Sequence, residues 1–335
     1  MRCPHNPSSF TPNLTPVPIR RTLRLASLPQ SINHCRGNLN VKVVTDSTAD
    51  LPGDVVQELG ITVIPLLIHI DDETFEDGVT ISVDGFYNLL ATGGVLPKTS
   101  APSSGMFIEA YERLAQETDA IVSIHISAKL SAAYAAALVA RDGIDAPCKI
   151  EILDSLSTSI GLGLLVVQAA TMARDGASLE DIVRVTEASI PRTQFFGVLD
   201  TLEYLHRGGR IGKAASFLGA MLKLKPILCL HDGIAHPVER VRSREQALDH
   251  LCEMVGKMGP VSHMAVTYTT DKPEMEQLAF RLSQFFPEDE IMRSRCSATT
   301  GTYFGPGALG VAVIQAPGSD GSDVLAMATS ATLQS

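Results

Sequence analysis

Short apolar runs alternate with segments of helical periodicity between residues 41 and 193. Apolar runs bounded by polar turns indicate strands, whereas apolar residues spaced three or four apart indicate helices. The predicted strands are residues 41–44, 61–70, 119–126 and 149–153, and the predicted helices are 51–59, 83–90, 132–141, 179–189 and two that begin near 106 and 160. Strands that alternate with helices predict a parallel sheet.

The pattern changes after residue 193. Two apolar runs are separated by Asp232-Gly233, a pair that favours the tight turn of a β-hairpin. The strands predicted in this region are 194–199, 226–230, 234–238, 264–269 and 311–314, and the helices are 243–258 and 273–286. We therefore predict an α/β fold of two domains, an N-terminal parallel-sheet domain over 41–193 and a C-terminal mixed domain over 194–316, with a ligand cleft between them.

The two ends of the sequence differ from its body. Residues 1–40 are rich in Pro, Ser, Asn and Arg and show no hydrophobic periodicity, so we predict a disordered extension or a non-native one translated from a start codon placed too early. The alternative is an organelle transit peptide, since the segment contains five arginines and no acidic residue. Residues 317–335 are predicted to form a flexible tail.

Composition narrows the class of protein. With 45% hydrophobic and 19% charged residues, the chain has a globular balance, and no apolar run approaches the length of a membrane span. The six cysteines lack the spacing of a disulfide framework or a zinc site, so we expect a cytoplasmic protein without a metal. The formal charge of −10 becomes −15 without the five arginines of residues 1–40, which argues against nucleic-acid binding.

Hydroxyl side chains follow several of the predicted strands. Thr45, Ser47 and Thr48 follow the strand 41–44, Ser127 and Ser131 follow 119–126, and Ser155 and Ser159 follow 149–153. Ser103 or Ser104 suffices to cap the helix near 106, which leaves Thr99 and Ser100 in excess before that helix. The carboxyl ends of parallel strands meet at one edge of a sheet, so these turns should converge. They predict a binding site for an anion or a carbonyl group, unless the hydroxyls only shape the turns.

A basic turn lies at Arg207, Arg210 and Lys213. It does not form a nucleotide-binding P-loop, because only three residues separate Gly208 from Gly212 and Ala214 stands where magnesium binding needs Ser or Thr. The turn is interpreted either as a solvated surface or as a docking surface for an anionic partner.

Several short motifs together resemble the DegV family, over about residues 41–314. They lie at residues 44–52, 99–103, 126–131, 154–163, 207–211 and 305–308. The resemblance implies a two-domain α/β protein that buries a long-chain fatty acid between its domains. It also implies that the carboxyl group is presented to a separate bacterial fatty acid kinase, which forms acyl-phosphate from ATP in phospholipid metabolism. The chain would then be a carrier subunit and not an enzyme, with no cofactor, and a transient contact with a membrane surface is left open.

The family resemblance assigns the carboxylate-binding hydroxyls to Thr99 or Ser100 and to Ser131. The chain departs from the family at Ala101, where Gln is common, and at Tyr303, which takes the position of a histidine. A phenol donates a hydrogen bond but is neutral near pH 7, so charge assistance from a histidine is lost there. The predicted walls of the acyl-chain tunnel are Phe86, Leu90, Phe107, Leu162, Leu165, Leu202 and Leu222.

Two other functions remain open at this point. The first is an enzyme that uses the same hydroxyl-rich cleft on a small phosphorylated or carboxylated metabolite, for which a serine nucleophile needs a base such as His125 or His206. No G-x-S-x-G motif supports it. The second is a docking protein whose function is carried by the basic turn from Arg207 to Lys213.

Overall fold

Strands and helices alternate through most of the chain. The computed structural model describes residues 41–92, 96–145, 147–218 and 224–318. The strands are β1 Lys42–Asp46, β2 Thr62–Ile64, β3 Leu67–Ile70, β4 Glu73–Glu76, β5 Lys98–Ser100, β6 Ala120–His125, β7 Lys149–Asp154, β8 Thr193–Val198, β9 Lys225–His231, β10 Ile234–Val241, β11 Val261–Tyr268, β12 Met292–Arg295 and β13 Leu309–Gln315. The helices are α1 Gly53–Leu59, α2 Val83–Thr92, α3 Ser104–Ala115, α4 Ala133–Gly143, α5 Ser159–Arg174, α6 Leu179–Ser189, α7 Glu203–Arg207, α8 Arg244–Gly256, α9 Lys272–Leu282 and α10 Ala298–Phe304.

The first sheet is parallel, with the strand order β2-β1-β6-β7. Every residue of β6 is buried, as expected for a parallel strand that helices cover on both faces. The larger second sheet has the order β10-β9-β8-β13-β11-β12 and is antiparallel except between β11 and β12. The predicted α/β fold with one parallel and one mixed sheet is therefore confirmed.

A third, antiparallel sheet has the order β4-β3-β5, and its pairing of β3 with β5 was not predicted. The predicted strand 61–70 is divided between two sheets, with β2 in the parallel sheet and β3 in this one. Pro65 lies at the division, and proline lacks the N–H group that a continuous strand needs for its ladder. The division places β5, with Thr99 and Ser100, beside β3.

Helix α5 lies between the two large sheets. It contacts β1 and β6 of the parallel sheet and β8, β11 and β13 of the mixed sheet. Most of its residues are buried, which explains why its sequence is apolar without a polar face. A Cβ at Gly163 would lie 2.6 Å from the Ala49 carbonyl oxygen, so glycine permits the close approach of α5 to the turn after β1.

The predicted hairpin at Asp232-Gly233 is confirmed. Strands β9 and β10 pair antiparallel with His231 opposite Ile234, and both turn residues have positive φ angles, 49° and 74°. Positive φ at both central residues is what a type I′ hairpin turn requires. The described residues belong to one compact unit. The boundary between domains at residue 193 stays a prediction, and the extension 1–40 and the tail from residue 319 lie outside the described residues.

Candidate functional site

A cavity of about 350 Å³ lies between the parallel and the mixed sheets. Its volume is in the range of about 300–1,000 Å³ that is usual for small-molecule sites. Most of its wall is apolar, with large side chains that include Ile126, Leu130, Phe195, Leu199, Leu228 and Leu309. The cavity can therefore surround a hydrocarbon group on most sides.

Most of the hydroxyl groups that line the cavity come from the wall formed by β5, the turn after β6, and α10, while Thr48, Thr158 and Thr267 line it from other elements. Thr99, Ser100, Ser131 and Tyr303, the four predicted carboxylate-binding residues, all line the cavity. The Thr99 Oγ1 atom lies 2.5 Å from the Tyr303 hydroxyl oxygen. The structure thus brings together residues that are as much as 204 positions apart in the sequence. Their role in binding a carboxylate stays a prediction.

Ser131 lies at the start of α4. Its Oγ atom accepts a hydrogen bond from the Ala133 N–H, with 3.3 Å between oxygen and nitrogen, while its own N–H donates to the Ser127 carbonyl oxygen. A hydroxyl oxygen that accepts can still donate its hydrogen. Ser131 is therefore suited to donate to an oxygen of a ligand in the cavity.

His69 lies next to Ser100. Its Nε2 atom lies 2.9 Å from Ser100 Oγ, and its Nδ1 atom lies 2.9 Å from Thr74 Oγ1. If Nε2 carries the hydrogen and donates to Ser100, the Ser100 hydroxyl is free to donate to a ligand. Sequence reasoning missed His69, because the pairing of β3 with β5 was not predicted and no local motif links residues 31 positions apart.

Arg210 belongs to the cavity wall and not only to the basic turn. Its Nε atom donates to the Leu130 carbonyl oxygen and its Nη1 atom donates to the Gly208 carbonyl oxygen, at 3.2 and 2.7 Å. Its guanidinium carbon lies 5.2 Å from the centre of the Tyr303 ring. Among the described residues that line the cavity, Arg210 is the one with a charged side chain.

The other two basic residues of the predicted docking turn lie on the surface. Arg207 is exposed and forms an ion pair with Glu203. Lys213 is also exposed, at the start of a 3₁₀ turn over Gly212–Phe217. The structure therefore separates Arg210, which faces the cavity, from Arg207 and Lys213, which face solvent.

The carboxyl group of Asp50 forms hydrogen bonds that hold the cavity wall in place. Its carboxyl group accepts hydrogen bonds from Ser159 Oγ at 2.6 Å, from Thr300 Oγ1 at 2.9 Å and from the Ser297 N–H at 2.9 Å. Burial raises the pKa of Asp50 to about 7, although these hydrogen bonds lower it in part. Asp50 thereby joins α5 and α10 to the turn after β1.

His125 does not serve the hydroxyls of the cavity as a base. Its Nδ1 atom lies 3.0 Å from Asp46 Oδ2, and its Nε2 atom lies 2.7 Å from Ser123 Oγ. Ser123, His125 and Asp46 have the order of a catalytic triad, yet all three are fully buried, and Ser123 is covered by Tyr111, whose hydroxyl donates to it. A substrate has no access to this serine, so the network is interpreted as structural.

Of the seven predicted tunnel-wall residues, the six that the structure describes are not among the residues that line the cavity. Phe107, Leu162 and Leu165 pack in the cores around the parallel sheet and α5, and Phe86 and Leu90 pack beside the small sheet. Leu202 belongs to the cluster that contains Leu199 and Leu205, which do line the cavity, but does not line it itself. Leu222 lies outside the described residues. Hydrophobicity alone does not distinguish a side chain that packs in a core from one that borders a cavity.

The described parts of the chain lack two further classes of feature. They contain no group of three or more His, Cys, Asp or Glu side chains placed to hold a metal ion. None of their helices has the length and hydropathy needed to cross a membrane.

The chain is similar to known proteins over most of its length. The family model described as "Uncharacterised protein, DegV family" matches residues 40–316. A DegV domain-containing protein of Caldanaerobacter subterraneus is 35% identical over 274 residues, which cover 81% of this chain and 97% of the relative.

Two solved structures share the fold. One is described as fatty acid binding of a DegV family protein from Thermus thermophilus, with a TM-score of 0.77, 29% identity and coverage of 82% of this chain and 99% of the other. The second, described as DegV, a fatty acid binding protein from Bacillus subtilis, has a TM-score of 0.74, 31% identity and coverage of 83% and 100%. This chain belongs to the DegV family.

Proposed function

We propose that this protein binds a long-chain fatty acid in the cavity and holds its carboxyl group at the wall of hydroxyls. The observation that carries the proposal is the asymmetry of the cavity. Thr99 contacts Tyr303, and Arg210 connects Tyr303 to Leu130, next to Ser131, so these hydroxyls and that of Ser100 lie together while most of the remaining lining is apolar. The descriptions of the Thermus thermophilus and Bacillus subtilis structures as fatty-acid-binding proteins support it.

The energetics favour such a ligand. Each methylene group transferred from water to an apolar wall contributes roughly 0.8 kcal/mol. A carboxylate removed from water is strongly destabilised unless it is hydrogen-bonded or paired with a charge. Donors on Ser100 and Ser131, together with the positive charge of Arg210 in the same wall, meet that requirement.

The fatty acid is expected to remain bound during purification. Extraction of the purified protein with organic solvent, followed by mass spectrometry, should yield about one long-chain fatty acid for each chain. Ser131→Ala should retain much less of it than Ser178→Ala, because Ser178 caps α6, where its Oγ accepts from the Asp181 N–H, and does not line the cavity. A lipid-free extract combined with no binding on titration contradicts the proposal.

We further propose that the carboxyl group is presented to a separate fatty acid kinase, with the chain as carrier and the catalysis on its partner. Arg207 and Lys213 offer exposed positive charges next to Arg210 in sequence. Reversing both charges should abolish ATP-dependent formation of acyl-phosphate by an added bacterial fatty acid kinase and leave the bound lipid in place. Undiminished formation of acyl-phosphate by that variant contradicts the docking assignment.

A further inference from the structure

Thr299 has a buried hydroxyl group without a hydrogen-bond partner. The residue is 2% exposed and lines the cavity, and no described group lies within hydrogen-bonding distance and geometry of its Oγ1 atom. A buried hydroxyl left unpaired is destabilising, and most such groups in folded proteins have a partner. The unpaired hydroxyl of Thr299 is therefore unusual for a buried group.

The position of Thr299 in α10 explains why it has no local partner. Helical threonines often donate to the carbonyl oxygen four residues earlier, as Thr302 does to Ala298 at 2.9 Å. Thr299 is the second residue of α10, and four residues before it is Arg295, the last residue of β12. The Thr299 N–H is already held by Asp77 Oδ2 at 3.2 Å, so the backbone is fixed while the hydroxyl stays free.

Thr299 shares a helix face with Tyr303. Residues four apart on a helix are neighbours, with Cβ atoms about 5–6 Å apart, and long side chains lean toward the preceding turn. The hydroxyls of the other α10 residues in the wall have protein partners, since Thr300 contacts Asp50 and Tyr303 contacts Thr99. Thr299 is thus the unpaired hydroxyl on the helix that bears the Tyr303 side of the wall.

We propose that Thr299 donates its hydroxyl hydrogen to the carboxyl group of the bound fatty acid, as a further ligand-binding residue. This inference rests on the proposed function. A carboxylate has about four lone-pair sites and accepts several donors at once. Thr299 joins Ser100 and Ser131 among those donors, and the hydroxyl that is unpaired without ligand is satisfied when the acid binds.

The matched pair Thr299→Val and Thr186→Val tests the inference. Thr186, on α6, is also fully buried with an unpaired Oγ1 atom, but it does not line the cavity. Valine has nearly the shape of threonine without the hydroxyl, so both variants should raise the Tm of the delipidated protein by roughly 2 °C. Calorimetric titration with oleic acid should show affinity lowered roughly 10- to 100-fold by Thr299→Val alone.

The possible results distinguish the proposed role of Thr299 from the proposed function on which that role rests. Thr299→Ser keeps a hydroxyl and should recover most of the affinity, which a merely structural role does not predict. If wild type binds oleic acid and Thr299→Val binds it with the same affinity, the inference about Thr299 is wrong and the proposed function is unaffected. A delipidated wild-type chain that binds no oleic acid overturns the proposed function and the inference with it.

Discussion

The guanidinium carbon of Arg210 lies 5.2 Å from the centre of the Tyr303 ring, and the Tyr303 hydroxyl lies 2.5 Å from Thr99 Oγ1. A cation therefore stacks on the aromatic residue that occupies the position where the family resemblance places histidine. A guanidinium group is charged at every physiological pH, whereas an imidazole is charged only in part. Arg210 supplies to this wall a positive charge that the tyrosine itself lacks.

Arg210→Gln should weaken binding of the fatty acid anion by roughly tenfold or more, because a hydrogen bond or contact to a charged group contributes about 1.5–3 kcal/mol. Arg207→Gln is the matched control, since Arg207 lies three residues away but faces solvent beside Glu203. Titration calorimetry on the delipidated variants measures the effect. Equal affinities for the two variants contradict a role for Arg210 in binding.

Asp50 should make stability fall with rising pH. Its pKa is raised from the ordinary 3.8 to about 7 by burial. Between these values the folded chain holds a proton that the unfolded chain has released, so the free energy of unfolding decreases as the pH rises to about 7 and this contribution is constant above it. Asp50→Asn, which keeps the shape and cannot ionise, removes the contribution.

Urea unfolding at pH 5 and pH 8 measures this difference. From pH 5 to pH 8, the free energy of unfolding of wild type should fall by on the order of 2 kcal/mol more than that of Asp50→Asn. The amide of asparagine still finds partners in Ser159 and Thr300, because hydroxyls accept as well as donate. Parallel changes in the two proteins would show that Asp50 does not titrate in this range.

His69→Ala should lower fatty acid affinity about 3- to 10-fold, the usual effect of one neutral hydrogen bond, because Ser100 loses the group that orients its hydroxyl. His69→Gln should restore part of the affinity, since its amide can donate to Ser100. His250→Ala is the control, because His250 pairs with Glu239 and does not line the cavity. If all three variants bind as wild type does, His69 has no positioning role.

Gly163→Ala should destabilise the fold by about 1–3 kcal/mol, because the new Cβ would lie 2.6 Å from the backbone oxygen of Ala49. Gly53→Ala, at the first position of α1, has no heavy atom within 4 Å of the added Cβ and should stabilise the fold by about 0.4–1 kcal/mol. Chemical denaturation of both variants compares them directly. If both substitutions change the free energy of unfolding by a similar amount, α5 does not pack closely against the turn after β1.

The parallel sheet and the convergence of its hydroxyl turns were predictable from the sequence. Strands such as β6 are apolar throughout because both faces are covered, and the carboxyl ends of parallel strands must meet at one edge. This argument accounts for Ser131 but not for Thr99 and Ser100, which lie on β5 of the small antiparallel sheet.

Other parts of the site depend on contacts that the sequence does not reveal. The pairing of β3 with β5 follows from the break at Pro65 and brings His69 to Ser100. Arg210 resembles any surface arginine in the sequence, yet it turns inward because the carbonyl groups of Leu130 and Gly208 accept its hydrogens. The predicted wall leucines are equally apolar in core and cavity, so only tertiary packing distinguishes them.

The residues that line the cavity extend from Thr48 to Gly310. No short fragment of the chain contains the site, because its walls come from both large sheets and from α10. A ligand therefore binds only the completed fold, and each tenfold increase in the free concentration of a ligand above its Kd adds about 1.4 kcal/mol to the free energy of unfolding. A chain that holds a ligand in the cavity has therefore completed its fold.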